Sequence, residues 1–347
     1  MNLPLIQPLN ESAMQFARER QNQLTKPAGS LGRLEEFSIQ LAGITGKNIP
    51  QIKNKVIIVM AGDHGVVAEG VSAYPQEVTP QMVLNFLSGG AAINVLANHI
   101  NAKVVVVDMG VANEINTDDK KLIRRRIGLG TSNMLQGQAM TREQAEESIQ
   151  SGIEIALDEI SKGVDIIGTG DMGIGNTTPS AAIACALMNI HPEKIAGRGT
   201  GVDDDGLKRK ISVIQKSLSV NKPNASDGLD VLSKVGGFEI GGLVGVMIGA
   251  ASKNIPVMVD GFISTAAAMI AVKIAPQCKD YLIFAHRSKE NGHALMLEWL
   301  NVKPLLDLDM RLGEGTGAAL GISLAESACK ILSEMATFGE AGVSEKG

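Results

Sequence analysis

Residues 311–317 read Arg311-Leu312-Gly313-Glu314-Gly315-Thr316-Gly317, one carboxylate set among glycines just ahead of an alanine-rich helical run from Ala318 to Met335. Glycines remove side-chain bulk and permit unusual backbone angles, so a flat ligand can approach the Glu314 carboxylate closely. That makes Glu314 the candidate general base. The alternative for the same segment is a helix-start carboxylate that only complements the helix dipole.

A second pattern, Gly168-Thr169-Gly170-Asp171-Met172-Gly173-Ile174-Gly175-Asn176-Thr177-Thr178-Pro179, follows the apolar run Val164-Asp165-Ile166-Ile167. Thr178 is placed to cap a helix that starts at Pro179 and runs to Met188. A glycine loop entering a helix offers converging N–H groups and the positive dipole end to a phosphate; tight strand-to-helix packing without a ligand is the alternative. Gly168 to Gly173 also fits G-x-G-x-x-G, and Glu193 follows at about the spacing of a ribose-binding acid. Glu193, however, follows the turn-like Ile190-His191-Pro192 and ends no second strand. An NAD-dependent oxidoreductase is therefore the weaker reading.

A third stretch, Gly197-Arg198-Gly199-Thr200-Gly201-Val202-Asp203-Asp204-Asp205-Gly206, precedes Lys208-Arg209-Lys210. Backbone donors close to cations suit a phosphomonoester, whereas an exposed basic helix start is the alternative. The three aspartates lack a preceding strand and a threonine-rich phosphate loop, so no magnesium site is expected there. His64, in Ala61-Gly62-Asp63-His64-Gly65-Val66, has only Asp63 beside it at ligand spacing. That is poor metal logic, and Asp63 and His64 are expected to shape the loop instead. Tyr74-Pro75-Gln76-Glu77-Val78-Thr79-Pro80-Gln81-Met82 combines a ring, amides and a thioether suited to a flat heteroaromatic. Helix-start packing explains it equally well. His286 and Ser288 follow an apolar run, where ligand loops occur in such sheets.

These segments need elements to hold them. The chain has 347 residues, 44% hydrophobic but only 3% aromatic, with 39 glycines. Such a core of Ala, Val, Ile, Leu and Met suits parallel strands buried on both faces. Val56–Met60, Val104–Asp108, Val164–Ile167, Pro256–Asp260 and the shorter Tyr281–Phe284 read as strands, with a sixth candidate near Ile123–Ile127. Helical segments at 80–99, 141–161, 179–188 and 241–251 alternate with them. The fold class expected is α/β, a Rossmann-like doubly wound parallel sheet.

The first fifty residues hold two helical segments, Ser12–Thr25 and Leu34–Thr45, joined by a loop, Lys26 to Arg33, able to place a cation at the surface. Residues 1–50 with 325–347 are expected to form a small helical subdomain, beside a parallel α/β catalytic domain at 51–324. The polar tail Ser344-Glu345-Lys346-Gly347 ends it. Cys185, Cys278 and Cys329 are far apart and lie in or beside apolar segments, as small core residues without disulfide or zinc spacing. A net charge of −5 argues against nucleic acid or an anionic membrane as the partner. With no membrane-length apolar run and no signal-peptide pattern after Met1, a cytoplasmic location is expected.

Lys26 to Glu35, Asp63 to Val66, Gly173 to Pro179, Gly228 to Phe238, Asp260-Gly261-Phe262 and Arg311 to Gly317 occur in this order. Together they resemble the nicotinate-nucleotide:dimethylbenzimidazole phosphoribosyltransferase family of cobamide assembly, nearly end to end. The resemblance implies transfer of the 5-phosphoribosyl group of nicotinate mononucleotide to a ring nitrogen of 5,6-dimethylbenzimidazole. Nicotinate leaves and the anomeric carbon inverts from β to α. It implies no metal and no other cofactor, since the pyridinium is already an activated leaving group. Glu314 matches the family's catalytic glutamate. Gly173, Gly175, Asn176, Thr177, Gly199, Lys210 and Ser288 match its phosphoribosyl site, and Tyr74, Gln81 and Met82 its acceptor pocket. Asp171, where the family often has glutamate, is a possible supporting residue with a shorter side chain. Some relatives accept purines or phenols. The family also implies a dimer with active sites near the interface, a homodimer or one mixed with a paralogue. Retention of Glu314 and Lys210 argues against a paralogue that only completes a partner's site.

Overall fold

The computed structural model describes residues 1–344, so the last three residues of the expected terminal subdomain lie outside the described part. The apolar runs become six strands: β1 (Lys55–Gly62), β2 (Ala102–Gly110), β3 (Leu122–Arg124), β4 (Ile166–Met172), β5 (Val257–Val259) and β6 (Leu282–Phe284). All pair in parallel, in the order β3-β2-β1-β4-β5-β6. The chain winds outward from β1 to one edge, then returns to the middle and winds outward to the other. The carboxyl ends of β1 and β4 thus flank the switch point, where open α/β sheets make their crevice.

Every residue of β1 is buried. Val56, Ile58 and Met60 belong to one core cluster and Ile57, Val59 and Ala61 to the other, the period-two alternation of a strand with both faces covered. The first face carries α5 (Arg142–Ser161), α6 (Thr177–Met188), α8 (Gly228–Val235), α9 (Phe238–Ala251) and α10 (Phe262–Ile274). The opposite face carries α2 (Arg33–Thr45), α3 (Val78–Ser88), α4 (Ala92–His99) and α12 (Thr316–Glu334). The remaining helices are α1 (Glu11–Gln23), α7 (Asp204–Asn221), α11 (His293–Trp299) and α13 (Phe338–Ala341).

Three local expectations change. The single helix expected over 80–99 is split into α3 and α4, because Gly89 at φ +80° ends α3 in a left-handed cap. Thr178 does not cap α6: the helix already starts at Thr177 after Asn176. Gly175 turns the chain early at φ +86°, and the Asn176 side chain is drawn to Asp171 instead. Lys26 is not a surface cation. It is buried and pairs with Glu35 at 2.8 Å.

At the chain ends, α1 and α12 both pack on α2, Thr25 N–H donates to the Ala336 carbonyl at 3.0 Å, and Leu24 and Thr337 form an antiparallel bridge. The expected boundary between residues 324 and 325 falls within the continuous helix α12.

Candidate active site

A cleft of about 460 Å³ opens at the carboxyl ends of the strands, lined in part by Tyr74, Thr177, Gly199, Phe262, Ser288 and Arg311. That volume is within the usual range for small-molecule sites.

One wall is built for an anion. Lys210, on α7, is 1% exposed, and its Nζ donates to Thr177 Oγ1 at 2.6 Å across the start of α6. Gly199, at φ +53°, passes over this pair so closely that a Cβ there would lie 2.7 Å from Thr177 Oγ1 and 3.1 Å from Lys210 Nζ. Lys208 and Arg209 stay exposed, so an exposed basic helix start describes those two residues but not Lys210. Burial lowers the Lys210 ammonium to about 8, against the opposing pull of the Glu290 carboxylate. A buried cation so poorly solvated gains strongly from a phosphate partner. Ser288 is held by its N–H bond to His293 Nδ1 at 2.7 Å. Burial pushes His293 down to about 3, so the ring is neutral. With Nδ1 accepting, the ring proton sits on Nε2 and is donated to Thr265 Oγ1 at 2.8 Å.

The three aspartates after this wall have local duties. Asp203 caps α7 by accepting from Gly206 N–H at 2.8 Å, Asp204 pairs with Arg198, and Asp205 pairs with Lys208.

Gly168 and Gly170 lie inside strand β4 and not in a loop after it. The G-x-G-x-x-G pattern therefore makes no strand-to-helix dinucleotide turn, and its glycines serve packing. A Cβ on Gly170 would stand 2.4 Å from the Glu314 carbonyl oxygen. The missing side chain lets the Glu314 turn lie directly on the sheet.

Glu314 itself is 7% exposed, at φ +62°. Leu312 and Gly313 beside it line the cleft, while its Oε2 accepts from Ile93 N–H, at the start of α4, at 3.3 Å. Burial raises the carboxyl above its ordinary value; the Ile93 amide opposes this and the Asp260 charge adds to it. A carboxylate raised in this way is a stronger base. Asp171, in β4, accepts from Asn176 Nδ2 at 2.9 Å. Burial holds it well above the usual carboxylate range, with Asp260, Glu239 and Glu314 adding to the shift. It is a buried acid group among other acids.

The acceptor candidates divide. Tyr74 lines the cleft and is 54% exposed. Gln81 is exposed on α3, and half-buried Met82 packs on the core of that face; neither lines the cleft. Gly173, Asn176, Thr177, Gly199, Lys210 and Ser288 gather around the α6 start and the adjoining loops, Asp63 and His64 at the β1 end. Asp63 accepts from Thr79 Oγ1 at 2.7 Å and from Ala112 N–H at 2.8 Å. His64 Nε2 meets Glu239 Oε1 at 2.8 Å in a fully buried pair. Both shape the loop, as expected. The sequence alone assigned no role to Asp260, Glu290, Phe262 and Ile263. For Asp260 the signal was its place one residue beyond an apolar strand, close to the place that His286 occupies after β6.

A phosphoribosyltransferase family pattern matches residues 6–343. The chain belongs to the nicotinate-nucleotide:dimethylbenzimidazole phosphoribosyltransferase family. A relative named nicotinate-nucleotide–dimethylbenzimidazole phosphoribosyltransferase, from Roseiflexus sp. strain RS-1, is 58% identical over 98% of this chain and 96% of its own. One of the same name from Desulforudis audaxviator is 54% identical, also over 98% of this chain and 96% of its own. The crystal structure of CobT from Thermus thermophilus superposes with a TM-score of 0.93 at 46% identity, covering 96% of this chain and 100% of that one. The doubly wound parallel sheet is thus shared by this phosphoribosyltransferase family member and its solved relative. No described helix is long and apolar enough to cross a membrane.

Proposed function

We propose that this chain moves the 5-phosphoribosyl group of nicotinate mononucleotide to 5,6-dimethylbenzimidazole or a related cobamide lower-ligand base. The products are the α-riboside 5′-phosphate and nicotinate. One observation carries the reading: a buried lysine bonded to the cleft residue Thr177 and a buried carboxylate next to the cleft residue Gly313 stand behind the lining of one cleft.

In this reading the phosphate rests against Lys210, Thr177, Ser288 and the backbone of Gly173 to Asn176 and Gly199, which fixes the ribose. Glu314 takes the N–H proton of the azole as the ring nitrogen forms its bond to the anomeric carbon from the α face. The bond to nicotinate breaks on the opposite face, and its electron pair returns to the pyridinium nitrogen, leaving neutral pyridine. Positive charge migrates from pyridinium to ribose to azole during the step, and carboxylates near that path favour it. Because the leaving group is already cationic, the step asks for no metal and no pyrophosphate. Tyr74, with Gln81 and Met82 on α3, is assigned to the acceptor side, and Asp171 to a supporting role beneath the Glu314 turn.

The enzyme is read as a cytoplasmic homodimer, or a dimer mixed with a paralogue. Exposed Tyr74 and Leu312 at the cleft, 54% and 58%, support a covered mouth. Residues 1–50 with 325–347 are read as its small helical subdomain. The test is to incubate purified protein with nicotinate mononucleotide, excess chelator and a panel of benzimidazoles, purines and phenols. Nicotinate release with a riboside phosphate of matching mass is expected, and its absence with every acceptor overturns the reading.

A further inference from the structure

Asp260 stands just past β5, in the Asp260-Gly261-Phe262 stretch that neither the cradle nor the base employs. Its side chain is buried and aims at the amino end of α12. Oδ2 accepts from Gly315 N–H at 3.3 Å and Oδ1 from Ala318 N–H at 2.9 Å. Its own N–H donates to Thr169 Oγ1, on β4, at 3.1 Å. The first of these bonds falls on the residue next to Glu314. Gly313, Glu314 and Gly315 all have positive φ, at 85°, 62° and 95°. A non-glycine residue in that region is strained and persists only when its surroundings hold it.

We propose that Asp260 is a positioning residue for Glu314: its buried carboxylate clamps the first turn of α12, fixes the Glu314 turn and places a negative charge beside the base. The inference rests on reading Glu314 as that base. Burial raises the Asp260 carboxyl above its ordinary value, while His286 and the amides of Ala318, Gly315 and Gly317 favour its charged form; where it is charged, it favours the protonated form of Glu314 and so strengthens Glu314 as a proton acceptor. The other charged groups around this turn are Asp171 at the end of β4, against Gly313, and His286 after β6, 3.9 Å from Asp260; Glu239 on α9, paired with His64, acts on Asp171 behind them. Beyond His286 lies neutral His293. From its own loop, Arg311 is turned to the Gly199 carbonyl at 2.8 Å. On the α4 side the contact is the Ile93 amide, and the first turn of α12 holds no acid.

The experiment measures kcat and both KM values from about pH 5 to about pH 9. In Asp260→Asn and Asp260→Ser, kcat is expected to fall about 10- to 100-fold, with KM for nicotinate mononucleotide within about threefold. The acid limb of kcat is expected to move to lower pH by about half a unit, because Glu314 loses its negative neighbour. Asp260→Glu keeps the charge but misplaces it, so kcat should fall while the acid limb stays near its wild-type position. Lost turnover with an unmoved limb in the neutral variants would reduce Asp260 to a helix cap. Wild-type turnover in them would remove it from the machinery altogether. Should the neutral variants fail to fold, Asp260→Glu decides: undiminished kcat there overturns the clamp. Glu314→Gln runs alongside. If it keeps turnover, the base assignment fails; if it loses turnover while Asp260→Asn is normal, only the clamp fails.

Discussion

On the proposed assignment, the donor residues around Lys210 and the acceptor residues around Tyr74 are built in opposite ways. On the donor side Lys210 is 1% exposed and Ser288 6%, and Gly199 passes over Thr177 and Lys210 with no room for a Cβ. Among the residues assigned to the acceptor, Tyr74 is 54% exposed at the cleft, and Gln81 on α3 is at the surface outside the cleft lining. A phosphate is the same in every turnover, so its site can be set into the packing of α6 and α7. A flat base is recognised mainly by area and shape, which a few exposed side chains can retune. If the proposed assignment holds, donor recognition is part of the fold, while acceptor choice sits on its surface.

The sharpest probe lies where the walls meet. Glu314→Gln should keep the fold while turnover falls by roughly 10²- to 10⁴-fold, with both substrates still bound. Near-normal turnover in a folded variant would sink the base assignment.

On the donor side, Lys210→Ala should weaken nicotinate mononucleotide binding by about 1.5 to 3 kcal/mol, the range for a charge-assisted hydrogen bond. The unphosphorylated nicotinate riboside should hardly notice. Equal losses for both ligands would move the phosphate site elsewhere. The same lysine gives a pH signature in the wild type. Its free-enzyme value is about 8, so the charged form dominates below that and the neutral form above it. Calorimetry should therefore show nicotinate mononucleotide affinity level between the second phosphate ionisation, at about pH 6, and this value, and falling as pH rises through it. A flat profile would show that the cation is not titrating in contact with the phosphate.

A smaller effect is expected from Gly199→Ala, which adds a Cβ at a φ of +53° against Thr177 Oγ1. The strain should cost the fold about 1 to 2 kcal/mol, and the displaced Thr177 and Lys210 should weaken donor binding severalfold, with acceptor KM unchanged. If acceptor KM moves as well, the two walls are not separate. Smallest of all, Tyr74→Ala should change rates severalfold but unequally, reordering benzimidazoles, purines and phenols. One common factor for every acceptor would place the pocket away from Tyr74.

The sheet was legible because its strands are β-branched apolar runs bounded by turns, and all six candidates became strands. The reach of β4 was not. Gly168, Thr169, Gly170 and Asp171 carry no hydrophobic alternation, so a strand that continues through them looks like a loop. Glu314 stood out because carboxylates among glycines are conspicuous. Lys210 is one of three adjacent cations, Lys208, Arg209 and Lys210, in a linear string; only the packing of α7 on α6 shows which of the three is buried. Asp260 hid for a related reason: its partners are the amides of Gly315 and Ala318, and backbone groups leave no mark in residue types.

Helix α12 begins two residues after Glu314 and ends at Glu334, among α1, α2 and the Leu24–Thr337 bridge. At 1.5 Å per residue it is a rod of roughly 28 Å. Its far end is held by structure close to both chain termini, including the bond from Arg20 Nε to the Leu332 carbonyl at 2.6 Å. If that end opens locally before the central sheet melts, the rod next to the proposed base loosens first. Heat should in that case abolish turnover at a lower temperature than it unfolds the sheet, and changes at the ends of the chain would act, in mechanical terms, on the handle of a lever that carries Glu314.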